Sequence, residues 1–377
     1  MKKTCLYLFS VAAAGLLGTS IALAEDAAST GSYTQTNLVT DGGAGGGTKV
    51  PAKFTDKQLL NPWGVAFLPG SPFWVADNDN NFATIYDGQG HLLTPTKSGG
   101  GFSIPGGAPT GMVANAANNP QFGTFKVPNA NGTPGKSPAF FIFAGEGGII
   151  SAWQPGDNKQ AVKLVDNTKK NNVYKGLAMA SNAKGLYLYV TDFHHGTVEM
   201  YDDTFTFVKT FTDPNLPTGY TPYGIANIEG LLFVTLAKQD AAKHDDVKGP
   251  GHGFVDVFDT DGNFIRRFIS HGVLNSPWGI ARAPANFGAV GSDILIGNFG
   301  DGRINAFTND GKFVTSLNLA NGKPFQISGL WSLTFPTSVW GGAVPGADPT
   351  TLYFTAGTDH EKGGLFGTVA PTVLKTP

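Results

Sequence analysis

Hydrophobic and polar positions in this chain fall into short runs that recur. One phrase, a Pro or Tyr, a variable residue, Gly, an aliphatic residue and a small or apolar one, appears five times. The copies are Pro62-Trp63-Gly64-Val65-Ala66, Pro109-Thr110-Gly111-Met112-Val113, Tyr174-Lys175-Gly176-Leu177-Ala178, Pro222-Tyr223-Gly224-Ile225-Ala226 and Pro277-Trp278-Gly279-Ile280-Ala281. A weaker sixth copy is Ile327-Ser328-Gly329-Leu330-Trp331. With glycines at 64, 111, 176, 224, 279 and 329, the period is roughly 50 residues, the length of one propeller blade with insertions.

A denser apolar run follows each copy, at 73–77, 140–144, 186–192, 231–235, 293–298 and 352–356. A third run, mostly alternating, comes at 84–87, 149–153, 198–202, 255–259, 304–307 and 365–369, and several of these end in an Asp-Gly turn. Fourth strands are predicted at 161–165, 207–211, 264–269 and 313–317. Four antiparallel strands in each of six repeats give an all-β fold, a six-bladed β-propeller. The sixth repeat runs out of chain after its third strand, whereas an orphan strand at 33–40 precedes the first. That N-terminal strand is expected to close the last blade, because an open blade would expose an edge. Between it and the first repeat, 41–51 reads as a Gly-rich linker with slack.

Composition agrees with a β-rich core: 52 Gly and 24 Pro disfavour helices, and 28 Phe accompany only 14% charged residues. Net charge is −2 with no basic run, so nucleic acid is excluded as a partner. Lys2 and Lys3, the apolar stretch 6–17 and Ala22-Leu23-Ala24 predict a signal peptide over 1–24, too short and interrupted to span a membrane. The mature chain, 25–377, is then one propeller domain, secreted or periplasmic, without a membrane span and expected to be a monomer. Its only cysteine, Cys5, leaves with the signal, so the domain holds no disulfide and no thiolate ligand.

The phrases Asn61-Pro62-Trp63-Gly64, Trp74-Val75-Ala76-Asp77, Leu274-Asn275-Ser276-Pro277-Trp278-Gly279-Ile280-Ala281, Gly297-Asn298-Phe299-Gly300-Asp301-Gly302 and Tyr353-Phe354-Thr355-Ala356-Gly357 resemble the NHL-repeat class of propellers. Within it they are similar to an uncharacterised family of secreted bacterial proteins, some bearing a C-terminal PEP-CTERM tail that this sequence lacks. The resemblance runs from Tyr33 to Val369 and implies the fold, with no reaction attached.

Propeller strand order places the loops after the second strands and before the first strands on one face. Trp63, Thr110, Lys175, Tyr223, Trp278 and Ser328 precede the repeat glycines there, with Trp331 close by. Trp63, Lys175, Tyr223, Trp278 and Trp331 are therefore candidate ligand-binding residues around a channel mouth, suited to a flat apolar or sugar ligand. The same face receives Asp77, Glu146, Asp192 and Asn298, one from each of four blades, and His194, His195 and His360. These could hold calcium or zinc, the carboxylates and Asn favouring the former and His the latter. A loop over 238–253, with Asp240, His244, Asp245, Asp246 and His252, is expected to be a mobile cover.

Two functions remain open at this point. One is an extracytoplasmic platform that binds a small molecule, glycan or protein through its loop face. The other is a metal-dependent hydrolase or lyase, in the manner of lactonase-type propellers, which hold calcium with a Glu and several Asn or Asp. Nucleophilic catalysis lacks a Gly-x-Ser-x-Gly elbow.

Overall fold

The repeat glycine is the point where neighbouring blades touch. In the computed structural model, which describes residues 29–93, 101–115, 125–129, 136–155, 160–337 and 342–373, a Cβ on Gly111 would lie 2.3 Å from Leu177 N. On Gly224 it would lie 2.1 Å from the Trp278 carbonyl oxygen, and on Gly279 2.4 Å from that of Trp331. At these three positions a side chain would force the adjoining inner strands apart. The expected signal peptide lies outside the described residues.

Six sheets surround one axis, five of four strands and one of five, and each blade's first strand is innermost. Blade one comprises Pro62–Ala66, Phe73–Asp77, Phe82–Tyr86 and Phe102–Ser103. Blade two comprises Pro109–Ala114, Phe141–Gly145, Ile149–Trp153 and Val162–Asp166. An added hairpin, Lys126–Pro128 with Lys136–Pro138, lies between its first two strands and accounts for the longest glycine spacing. Blade three is Tyr174–Asn182, Gly185–Asp192, Thr197–Tyr201 and Phe207–Phe211. Blade four is Tyr220–Ile228, Leu231–Lys238, Phe254–Phe258 and Phe264–Ser270. Blade five is Pro277–Arg282, Ile294–Asn298, Ile304–Phe307 and Phe313–Ser316. No α-helix occurs among the described residues, only two short 3₁₀ turns.

Blade six holds Leu330–Thr334, Leu352–Ala356 and Leu365–Val373, and the N-terminal strand Ser29–Thr40 pairs antiparallel with the last of these. The closure expected from the sequence is thus present, with one strand more: Phe54–Thr55 runs parallel outside it. Tyr33, Leu38 and Val39 of the closing strand are buried. Tyr33 packs on Phe287 with ring centroids 5.1 Å apart, and its N–H donates to the Asn318 carbonyl, so the strand also ties blade six to blade five.

Two expectations need correction. The sixth repeat is in register at Leu330-Trp331-Ser332-Leu333-Thr334, not at Gly329, because Leu330 pairs with Ala356 as Pro277 pairs with Asn298. Ser332 takes the place of the repeat glycine and its N–H donates to Thr355 Oγ1, as Gly176 does to Thr191 and Gly224 to Thr235. Gly329 is a left-handed entry residue, like Asn61, Ala108 and Ser276 in other blades. Nor is 41–51 slack. A Cβ on Gly45 would lie 2.2 Å from the Lys362 carbonyl oxygen, Asp41 accepts from Gly45 N and Gly364 N, and Thr48 is fixed to Asp359.

Blades are joined edgewise by hydroxyls of the second strands. Thr191 Oγ1 donates to the Tyr223 carbonyl at 2.7 Å, and Thr355 Oγ1 donates to the Trp63 carbonyl at 2.5 Å across the point of closure. Aromatic contacts fill the wedges, such as Trp74 stacked on Phe141 and Phe73 against Tyr353. Removing residues 25–40 deletes three large buried side chains, each worth roughly 1.5–3 kcal/mol, and bares the edge of Leu365–Val373. A loss of at least about 5 kcal/mol is expected. Thermal melting followed by circular dichroism checks it; a truncated chain melting within about 2 °C of the parent would overturn the role given to this strand.

Candidate functional site

Correct register puts six side chains in one ring about the axis, each one residue before the glycine position: Trp63, Thr110, Lys175, Tyr223, Trp278 and Trp331. All six are buried. Trp63 stacks on Trp331 with centroids 3.4 Å apart, Phe299 stacks on the same indole at 3.8 Å, and Trp278 meets Trp63 and Trp331 edge-on. Tyr223 and Phe193 complete the cluster. The expected open mouth is therefore corrected to an aromatic plug. Rings projecting inward around a narrow axis meet one another before they can offer a face to a sugar.

Lys175 is the exception in this ring. Its side chain is 1% exposed, with Nζ 5.2 Å from the Trp63 ring centroid and 5.7 Å from that of Phe193. The ammonium donates to Glu146 Oε1 and, at 3.2 Å, to Asp245 Oδ1. Burial pulls its pKa down, but Glu146 and Asp245 more than offset this and leave it above the ordinary lysine value. Burial pushes Asp245 up in turn, yet Lys175 and His244 hold it below the usual range.

Further carboxylates gather beside this pair. Asn78 Nδ2 donates to Glu146 Oε2 at 3.2 Å. Asn61 Nδ2 lies 3.1 Å from Glu361 Oε2 and 3.4 Å from Asp79 Oδ1, while Asn61 Oδ1 accepts from the Trp331 indole. Asp246 accepts from the Tyr223 hydroxyl, and Lys248 Nζ stands 3.9 Å above the Phe299 ring. Burial raises the pKa of Glu361 and of Asp79, and the Glu146 charge adds to both shifts. Asp79, Glu146, Asp245, Asp246 and Glu361 thus surround two lysines on the outer side of the plug. Asn61 was not singled out from the sequence as a site residue; the only signal there is an Asn directly before the repeat's Pro62, a residue type that tolerates the left-handed φ of 45° the structure shows.

The metal set read from the sequence is not brought together. Asp192 accepts from Val173 N and from the backbone and Nδ1 of His195, holding the turn of its own blade. Asn298 likewise donates to the Val273 carbonyl and to Asp301. Asp77 faces Thr84, with Asp56 nearby; burial pushes its carboxyl well above the usual range. These three sit where the second strand pairs with the first residue of the inner strand; Asp192 and Asn298 are taken up by bonds to nearby turns, while both carboxylate oxygens of Asp77 are buried without a hydrogen-bond partner. Glu146 lies one residue past the equivalent Gly145 and alone reaches the axis. His194 packs edge-on against His195, and His360 is an exposed turn residue beside Asp359.

Among the described residues one other set, Glu146, His244 and Asp245, brings its ligand atoms within 4.8 Å of one another. Lys175 Nζ already bonds two of the three. These residues do not fit a calcium or zinc ion with the ammonium in place. The 238–253 loop covers this face, but where a mobile cover was expected it is tied down: Gln239 Nε2 donates to the Phe193 carbonyl, Gly249 N to Asn275 Oδ1, and Val247 N to the Lys238 carbonyl.

No family model matches the chain. "Uncharacterized protein R648" of Acanthamoeba polyphaga mimivirus is 33% identical over 328 residues, which cover 84% of this chain and 76% of that protein. "Uncharacterized protein L690" of the same virus is 32% identical over 330 residues, covering 85% and 82%. These relatives are viral, where the repeat phrases had pointed to bacterial proteins. Among solved structures, virginiamycin B lyase from Staphylococcus aureus aligns over 90% of this chain and 99% of its own at a TM-score of 0.49 and 13% identity. A likeness at that level says nothing of substrate or reaction.

Two outcomes follow from the charges. Replacing Lys175 with Ala leaves Glu146, whose side chain is 14% exposed, without its cation. The expected loss is about 2 kcal/mol, less than the roughly 3–5 kcal/mol of a fully buried pair. Millimolar calcium should restore part of the Lys175→Ala melting temperature and leave the parent unmoved; the reverse pattern would show that the ammonium is not the cation of this cage. At Asp77 the folded protein holds the proton more tightly than the unfolded chain, whose carboxyl titrates near about 3.9. That contribution is full at lower pH and is lost as pH rises through the raised native value. Asp77→Asn should therefore gain on the parent between about pH 3.5 and pH 7 in urea melts, and an unchanged gap would mean that the Asp77 carboxyl titrates alike in the folded and unfolded chain.

Proposed function

The chain belongs to the same family as the two mimivirus proteins, and we propose that it is a secreted, NHL-type propeller whose loop face is a binding platform for a positively charged ligand, a basic segment of a protein partner. The observation that supports this reading is the gathering of Asp79, Glu146, Asp245, Asp246 and Glu361 around Lys175 and Lys248. Such a patch lowers the potential over the axis and favours a cationic partner. A glycan is a poorer fit, because the indoles that would stack on sugar rings are packed on each other. A metal-dependent hydrolase or lyase is the less favoured reading, because Lys175 already bonds Glu146 and Asp245, two of the three side chains that lie close enough to share an ion.

Calorimetric titration with a lysine-rich oligopeptide tests the platform. Binding should weaken steeply with added salt, and Asp79→Asn with Glu361→Gln should weaken it about tenfold, because both carboxylates are on the rim of the patch. Salt-insensitive binding, or equal affinity for a neutral peptide of the same length, would sink the proposal.

A further inference from the structure

The aromatic plug closes only one end of the axis. On its other side lies a cavity of about 500 Å³ that runs between the inner strands toward the hairpins joining first and second strands. Its wall carries one aliphatic side chain from every blade, the residue after each glycine position: Val65, Met112, Leu177, Ile225, Ile280 and Leu333. Ser181 and Asn227 lie at the hairpin end. Trp278, a member of the plug, also lines this cavity, and its indole Nε1 is buried without a hydrogen-bond partner. An orphaned donor beside an apolar space destabilises the protein unless something supplies an acceptor.

We propose that this axial cavity binds an uncharged apolar small molecule carrying one hydrogen-bond acceptor, such as a ketone or ester, entering from the face opposite the acidic loops. Volume and lining fall in the range of small-molecule sites, about 300–1,000 Å³ with mainly apolar walls and few polar groups. Charge is disfavoured because the polar side chains of the lining, Ser181, Asn227, Ser332 and Thr334, are all neutral and its one carboxylate, Glu229, faces Arg282 at 3.3 Å. The acceptor requirement comes from Trp278 Nε1. This site is independent of the platform on the other face, and Asp79→Asn with Glu361→Gln should leave it unchanged.

The probe is prodan, an uncharged naphthyl ketone whose emission shifts to the blue in apolar surroundings. Titrated into the whole protein it should give a saturable shift with one site per chain. Ser181→Trp, at the exposed hairpin end, should reduce that binding by obstructing entry. Trp278→Phe keeps most of the wall and removes the donor; it should weaken prodan about five- to tenfold while leaving N-phenyl-1-naphthylamine, which has no carbonyl, unaffected. A measurement that needs no variant is displacement: 2-undecanone should compete at lower concentration than undecane. Absence of a saturable shift in the parent, or equal competition by ketone and alkane, would overturn the proposal. So would a Trp278→Phe effect of the same size on both dyes.

Discussion

Everything in this molecule depends on how closely six inner strands approach the axis. At the repeat glycines one strand's backbone lies where a neighbour's Cβ would otherwise be, so the ring cannot widen without losing its edge contacts and cannot narrow at all. That one spacing fixes two layers. Residues before the glycine are pressed into a plug, and residues after it line a cavity. A closed upper end and an open lower end are thus two results of the same packing.

Lys175 illustrates how such a layer accommodates a charge. A buried ammonium needs partners of opposite sign, and the blades supply them from different parts of the chain: Glu146 from the turn of blade two and Asp245 from the long loop of blade four. Two aromatic faces, Trp63 and Phe193, are also within cation–π range. The lysine consequently links three blades and the covering loop, and it joins the aromatic layer to the acidic surface above.

How much of this was legible in the sequence varied with the physics involved. Periodic glycines and alternating strands report local packing, so six blades, their inner strands and the closing strand could be read directly. Gly329 misled because a glycine can mark either close approach or a left-handed backbone, and only pairing of Leu330 with Ala356 separates the two. The metal set failed for a related reason. Equivalent positions on successive blades share a direction only when the local turn is the same, and Glu146 sits one residue later than Asp77, Asp192 and Asn298. Side chains that end in a blade's own hydrogen bonds look, in sequence, the same as side chains aimed at a ligand.

The strand that closes the ring imposes an order of events on the chain. Thr34 and Thr372 share a hydrogen bond across 338 positions of sequence, so the first strand to be made must wait, unpaired, for the last. A polypeptide delivered N-terminus first holds that exposed edge throughout its emergence, and no six-bladed ring can exist until its far end is free. Closure is therefore the last contact the chain can make, however early the other blades pair their own strands.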